Sequence, residues 1–141
     1  MENINRYSGV LIKDDDKVLL CKRNNKGSLP GAWSIPAGKI EGIETPKQGA
    51  VREFYEETNI ELSDKIKLIG FINRTNRSGE KNKGLMYVFL SEVGEEVYPD
   101  LENAKDGEEH TECGYFSLEK IPIEDKNDQL SKIIKNILSK R

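Results

Sequence analysis

The sequence predicts an α/β sandwich, a mixed β-sheet between helices, and three observations predict it. Apolar runs and helical patterns follow one another in the order strands, helix, strands, helix, the order expected of one sheet with helices outside it. Two segments carry apolar residues at helical spacing, and such a stripe must be buried against something. The chain has 141 residues, 35% hydrophobic and 33% charged, which suits one modest core. A single domain over residues 1–141 is therefore expected.

Residues 6–13 (RYSGVLIK) and 17–24 (KVLLCKRN) flank the polar cluster Asp14-Asp15-Asp16 and read as a strand pair. Residues 24–31 are turn-rich and read as a loop. Trp33-Ser34-Ile35 is expected to be extended, because the residue before Pro36 is pushed toward the β region. Thr45-Pro46-Lys47-Gln48 has the form of a capping box with proline at the first helical position. The helix it starts should run to about Thr58, bury Ala50, Val51 and Phe54, and end at Asn59 in a left-handed conformation. Residues 65–73 (KIKLIGFIN) and 84–93 (GLMYVFLSEV) are β-rich and should form a long hairpin through the polar residues 74–83. Residues 95–112 are acidic and are expected to be irregular, with a last strand over 114–118. From about Asp128, the apolar residues Leu130, Ile133, Ile134, Ile137 and Leu138 mark a second amphipathic helix.

Composition excludes several functions. No apolar run approaches the roughly 20 residues of a membrane span, and the first residues lack the pattern of a signal peptide. A cytoplasmic location is expected. One histidine, His110, and two cysteines cannot build a two-histidine or four-cysteine zinc site, so any metal must be held mainly by oxygen. Cys21 and Cys113 are expected to be small buried residues, unbridged in a reducing compartment. With 22 basic against 25 acidic residues, the chain is not built for bulk attraction to duplex DNA. The charge is uneven: residues 41–61 hold six acids and two bases, residues 92–112 nine acids and one base, and the rest is basic.

Glu53, Glu56 and Glu57 stand at i, i+3 and i+4, so all three carboxylates project from one face of the first helix. Exposed like charges at this spacing cost a few tenths of a kcal/mol per pair, roughly. A hard divalent cation would offset that, since magnesium takes oxygen ligands and shares its shell with waters and phosphates. The plain alternative is a solvated acidic face partly neutralised by Arg52, which can pair with Glu56.

The surroundings favour the cation. From Gly38 the chain continues with five residues, Glu44, seven residues, and Arg52-Glu53-Phe54-Tyr55-Glu56-Glu57-Thr58-Asn59-Ile60. This resembles the Nudix box, G-x5-E-x7-R-E-U-x-E-E-x-G-U with U apolar, except that Asn59 stands where the family has glycine. A chance match is on the order of 10^-8 per starting residue. Residues 31–38 resemble the family's lead-in to the box, and residues 109–121 its closing strand and loop. The resemblance to a MutT-like Nudix hydrolase implies cleavage of a nucleoside diphosphate linked to another moiety, with Mg2+ as cofactor and Mn2+ as its substitute.

By the same resemblance, Glu53, Glu56 and Glu57 correspond to metal ligands, joined by the backbone carbonyl near Ala37 and Gly38. Arg52 corresponds to the residue orienting the second of these glutamates, and Glu44 to the one tying the box loop to the helix. Gly38, Glu44 and Asn59 are structural positions of the box, and Asn59 should carry a small stability penalty only. Counting back from Tyr115 selects Glu109 as the further acid that such enzymes use as base or ligand. Arg23 resembles a phosphate- or base-contacting arginine, although most arginines are surface residues. Asn127 lies where relatives often contact the nucleobase, although helix capping explains it more cheaply. His110 reads as solvated, and Trp33 and Phe116 as core aromatics.

The expected reaction is hydrolysis of a nucleoside or deoxynucleoside triphosphate to monophosphate and pyrophosphate, by a monomer or homodimer. ADP-ribose, another nucleotide sugar, a dinucleoside polyphosphate and the 5' end of RNA are the other substrates weighed. Arg74, Arg77, Lys81 and Lys83 keep RNA in view, with a solvated hairpin tip as the alternative. A nucleotide-sensing module without catalysis is the rival of another class.

Overall fold

The structure is a computed structural model that describes residues 5–24, 30–74, 84–125 and 128–139. Asn127 and the tip residues Arg77, Lys81 and Lys83 lie outside the described residues. In chain order the elements are β1 (Asn5–Asp14), β2 (Lys17–Arg23), β3 (Trp33–Ser34), β4 (Ala37–Lys39), α1 (Pro46–Thr58), β5 (Lys67–Arg74), β6 (Gly84–Glu92), β7 (His110–Ser117) and α2 (Gln129–Ser139). Single 3-10 turns occupy Gly107–Glu109 and Leu118–Lys120.

The strands form one sheet in the order β3-β2-β1-β6-β5, with β4 beside β1 and β7 beside β2. β1 and β6 run parallel and the other described pairs antiparallel, so the sheet is mixed, as expected. Side chains alternate across a strand, and the alternation in β1 divides the interior in two. Val10 and Ile12 join Leu19 and Phe89 beneath Ala50 and Phe54 of α1. Leu11 joins Val18, Leu20, Met86 and Val88 beneath Leu130 and Ile134 of α2. Each helix thus covers one face. Trp33 and Phe116 pack edge to face against the second cluster, with ring centroids 5.1 Å apart.

The capping box of α1 forms in full: Gln48 N donates to Thr45 Oγ1 at 3.1 Å, and Thr45 N to Gln48 Oε1 at 2.9 Å. Asn59 ends the helix at φ 63°, with its N–H on Tyr55 O. Asp128 Oδ2 accepts from Ser131 N at 3.1 Å and so caps α2. Gln129 exchanges two hydrogen bonds with the backbone of Asn73, both 2.9 Å, which fastens α2 to β5.

Four expectations need correction. The strand pair β1–β2 exists only beside its turn, at Lys13–Val18 and Asp14–Lys17, because β4 pairs with Tyr7 to Gly9 of β1 and β7 with the length of β2. β7 begins at His110 rather than 114, and β4 had not been expected; both segments are polar or small, so no apolar alternation marks them as strands. The acidic stretch is not irregular throughout, since it contains a 3-10 turn and the start of β7. Cys21 and Cys113 are bridged, because the β2–β7 register sets them opposite each other with Cα atoms 4.0 Å apart.

Candidate functional site

β4 brings backbone rather than side chains to the first helix. Gly38 pairs with Ser8 of β1, and a Cβ built on it would lie 2.1 Å from the carboxyl carbon of Glu53 and 2.2 and 2.4 Å from its oxygens. The Glu53 carboxylate therefore rests on the Gly38 backbone, in space that any side chain would fill.

Arg52 organises the loop between β4 and α1. It grips Glu44 with two bonds, Nε to Oε2 at 2.7 Å and Nη2 to Oε1 at 3.0 Å, the bidentate fork that arginine offers a carboxylate. Glu44 also accepts from Glu41 N at 2.9 Å, and Arg52 Nη2 donates to Lys39 O at 3.0 Å. Arg52 holds the Glu44 carboxyl below the usual carboxylate range, and Glu44 in turn raises the arginine further. The remaining nitrogen, Nη1, reaches Glu53 Oε1 at 2.9 Å and Glu56 Oε1 at 3.1 Å. One guanidinium thus ties the loop to the helix and orients two of the three glutamates.

The far end of α1 recruits the acidic segment. Helix C-termini leave carbonyls without intrahelical partners; here Thr58 O accepts from Asp100 N at 2.8 Å and Glu56 O from Asp106 N at 2.6 Å. A Cβ on Gly107 would come within 2.0 Å of Leu101 O, so only glycine allows this loop its close turn. The turn delivers Glu109 and His110 to the glutamates.

His110 Nε2 lies 2.6 Å from Glu57 Oε1, and both side chains are 2% exposed. Among the described residues Glu57 Oε2 and His110 Nδ1 are buried without a hydrogen-bond partner. Burial first, and then the charges of Glu109 and Glu53, push the Glu57 carboxyl far above the carboxylate range. Burial and the charge of Arg23 push His110 down to about 4. Glu109 is also raised, by partial desolvation, then by Asp106 and Glu53. Arg23 stands opposite His110 across the β2–β7 register, beside a bulge, and lowers Glu57 and Glu109. Asn24 secures the same loop, its N–H on Glu109 O at 2.9 Å and its Nδ2 on Glu108 O at 2.6 Å.

The structure therefore gathers Ala37, Gly38, Glu44, Arg52, Glu53, Glu56, Glu57, Glu109 and Arg23 along one side of α1; Asn59 closes that helix outside the cluster. Sequence reasoning missed His110, which is buried rather than solvated, and Asn24. It also missed Lys105, whose Nζ lies 3.6 Å from Glu56 Oε2. The polar start of β7, His110-Thr111-Glu112, carries no apolar alternation that could have pointed to the histidine.

Among the described residues no three acidic, imidazole or thiol side chains already converge on one point. The donors nonetheless fit a hard cation. The contacts of Arg52 and His110 engage Oε1 of Glu53, Glu56 and Glu57, while Glu57 Oε2 is a buried oxygen without a hydrogen-bond partner among the described residues. A separate cleft of about 600 Å3, lined by Lys13, Lys65, Lys67, Glu92 and Asn136 among others, contains none of these residues.

A sequence model of the family described as NUDIX domain matches residues 4–137. The ADP-ribose pyrophosphatase of Methanocaldococcus jannaschii is 31% identical over 113 residues, which are 79% of this chain and 61% of that protein. The 8-oxo-dGTP diphosphatase of Proteus vulgaris is 36% identical over 56 residues, 40% of this chain and 50% of that protein. The chain thus spans 50 to 61% of the length of these two relatives. A MutT NUDIX hydrolase from Burkholderia pseudomallei superposes with a TM-score of 0.76 at 22% identity, over 96% of this chain and 98% of that one. At that identity the likeness shows the fold.

Proposed function

Because the chain belongs to the Nudix family, we propose that it is a magnesium-dependent pyrophosphohydrolase, cleaving a nucleoside or deoxynucleoside triphosphate to the monophosphate and pyrophosphate. Residues 1–141 are taken as one such domain. The observation that carries this reading is Glu57, a buried carboxylate raised by its burial and by the charges of Glu109 and Glu53, whose Oε2 lacks a hydrogen-bond donor among the described residues. Such a group is costly unless a cation completes it.

Glu53, Glu56 and Glu57, with the carbonyls of Ala37 and Gly38, would hold the cation, Mg2+ with Mn2+ as substitute. When bound, a divalent ion neutralises charge on the pyrophosphate and acidifies water. The chain's own residues do the rest. Arg52 keeps Glu53 and Glu56 in place, with Glu44 fixing the arginine. Arg23 meets the phosphates from β2. Glu109, exposed and raised above the ordinary carboxylate range, accepts the proton of the attacking water. Water adds to one phosphorus as the bridging P–O bond breaks, and the departing phosphate takes the electron pair. Asn127, beside α2, is proposed to contact the base.

ADP-ribose is the second reading, supported by the relative that aligns with 79% of this chain. Other nucleotide sugars, dinucleoside polyphosphates and an RNA 5' end are further substrates of the same chemistry. The test is kcat/KM for nucleoside triphosphates including oxidised ones, ADP-ribose, dinucleoside polyphosphates and triphosphorylated RNA, with Mg2+ and with Mn2+, and with products identified. Monophosphate plus pyrophosphate from a triphosphate, at a kcat/KM above that for ADP-ribose, is the expected result. Orthophosphate release, or no turnover of any member, would contradict it.

A further inference from the structure

We propose that His110 is a positioning residue for Glu57: its Nε2–H donates to Glu57 Oε1 and so presents Oε2 to a divalent cation. This rests on the metal-binding reading above and adds to it a residue outside the box. Arg52 reaches Glu53 and Glu56, and its described bonds do not include Glu57. The third glutamate is instead met by His110, whose Nε2 at 2.6 Å is placed to donate to it. With both side chains 2% exposed, water cannot take over the hydrogen bond. A histidine proton on Nε2 also leaves a lone pair at the buried Nδ1, which has no partner among the described residues and where an N–H would be unsatisfied.

The backbone holds His110 on both sides. Its N–H donates to Gly107 O at the end of the 3-10 turn, and that turn is anchored by Asp106 N on Glu56 O. In β7 it lies opposite Arg23. The strand is thereby joined to α1 at adjacent residues, through the backbone of Glu56 and the side chain of Glu57. Partners that orient metal ligands in this way typically change metal affinity about 10- to 100-fold when removed.

Mn2+ binding to the substrate-free protein is the probe, by calorimetry or electron paramagnetic resonance. It should be measured with thermal melting of the metal-free protein for wild type, His110→Ala, His110→Asn and His110→Gln. A glutamine amide reaches the place of Nε2, whereas asparagine reaches only that of Nδ1. The expected result is Mn2+ binding weakened about 10- to 100-fold in His110→Ala and His110→Asn, and within about threefold of wild type in His110→Gln. Wild-type affinity in His110→Asn, or equal weakening in His110→Asn and His110→Gln, overturns the proposal. Should His110→Ala fail to fold, the asparagine and glutamine pair decides. If Glu57→Gln abolishes Mn2+ binding while His110→Asn leaves it intact, the positioning role alone fails. If wild type binds no Mn2+, the role falls together with the metal reading beneath it.

Discussion

Glu109 and Glu53 sit a few side chains apart and are proposed to do different work, one moving a proton and one holding charge. Glu109→Gln keeps the shape and loses the base, so kcat should fall about 10^2- to 10^4-fold. A kcat within about threefold of wild type would remove Glu109 from the mechanism. Gly38→Ala addresses Glu53 from the other side, because the new Cβ would meet its carboxyl group at 2.1 to 2.4 Å. Activity with Mg2+ should drop at least about 10^2-fold while the protein still folds; full activity in a folded Gly38→Ala would show that the carboxylate position does not matter. The residues that were legible in the sequence are the local ones. Glu53, Glu56 and Glu57 share a face by helical geometry alone, and Gly38, Glu44 and Arg52 stand at fixed spacings from them. His110 was not legible because its burial depends on a partner 53 residues away, and nothing in its own acidic neighbourhood signals that contact.

At the scale of elements, α1 has its start and stop written in its flanks. Thr45→Ala removes one half of a capping box that is fully formed, and should cost about 1 kcal/mol in chemical denaturation. Asn59 holds a left-handed conformation at φ 63°, which glycine adopts more cheaply. Asn59→Gly should therefore stabilise the protein by up to about 1 kcal/mol with kcat unchanged; a loss of stability would mean that the asparagine side chain contributes something beyond helix termination. These caps were readable because capping is decided within four residues. β4 and the first half of β7 were not, since a three-residue strand of small residues and a polar strand carry no apolar alternation. Their pairing with β1 and β2 is decided by tertiary register, and the same register brings Cys21 to Cys113.

At the scale of the whole molecule, order of elements and burial pattern were enough to foresee a mixed sheet with one helix on each face, now seen as the two interior clusters. The charge distribution was legible as two acidic segments on a basic body; that the carbonyls closing α1 join them was not. Gathering these acids gives stability a pH dependence. Glu57 has a folded-state pKa raised above its unfolded value, so its contribution is full below the ordinary carboxylate range and is lost as pH rises toward the raised value. His110, lowered to about 4, contributes fully above its usual 6.5 and loses that contribution as pH falls. Above pH 7, roughly, only the acidic side remains. Without metal the melting temperature should decline from pH 7 to 9, and the increase produced by Mg2+ should grow over the same range as the cation replaces the proton. A Mg2+ effect that is constant or shrinks with pH would contradict this.

Whether the three box glutamates hold a divalent cation for pyrophosphate hydrolysis is decided by kcat/KM of Glu57→Gln against wild type. Both should be assayed on the best substrate of the panel with saturating Mg2+. The variant should lose at least about 10^2-fold, and wild type should show no turnover once the metal is chelated. Hydrolysis by Glu57→Gln within about threefold of wild type, or wild-type turnover that persists in chelator, would contradict it.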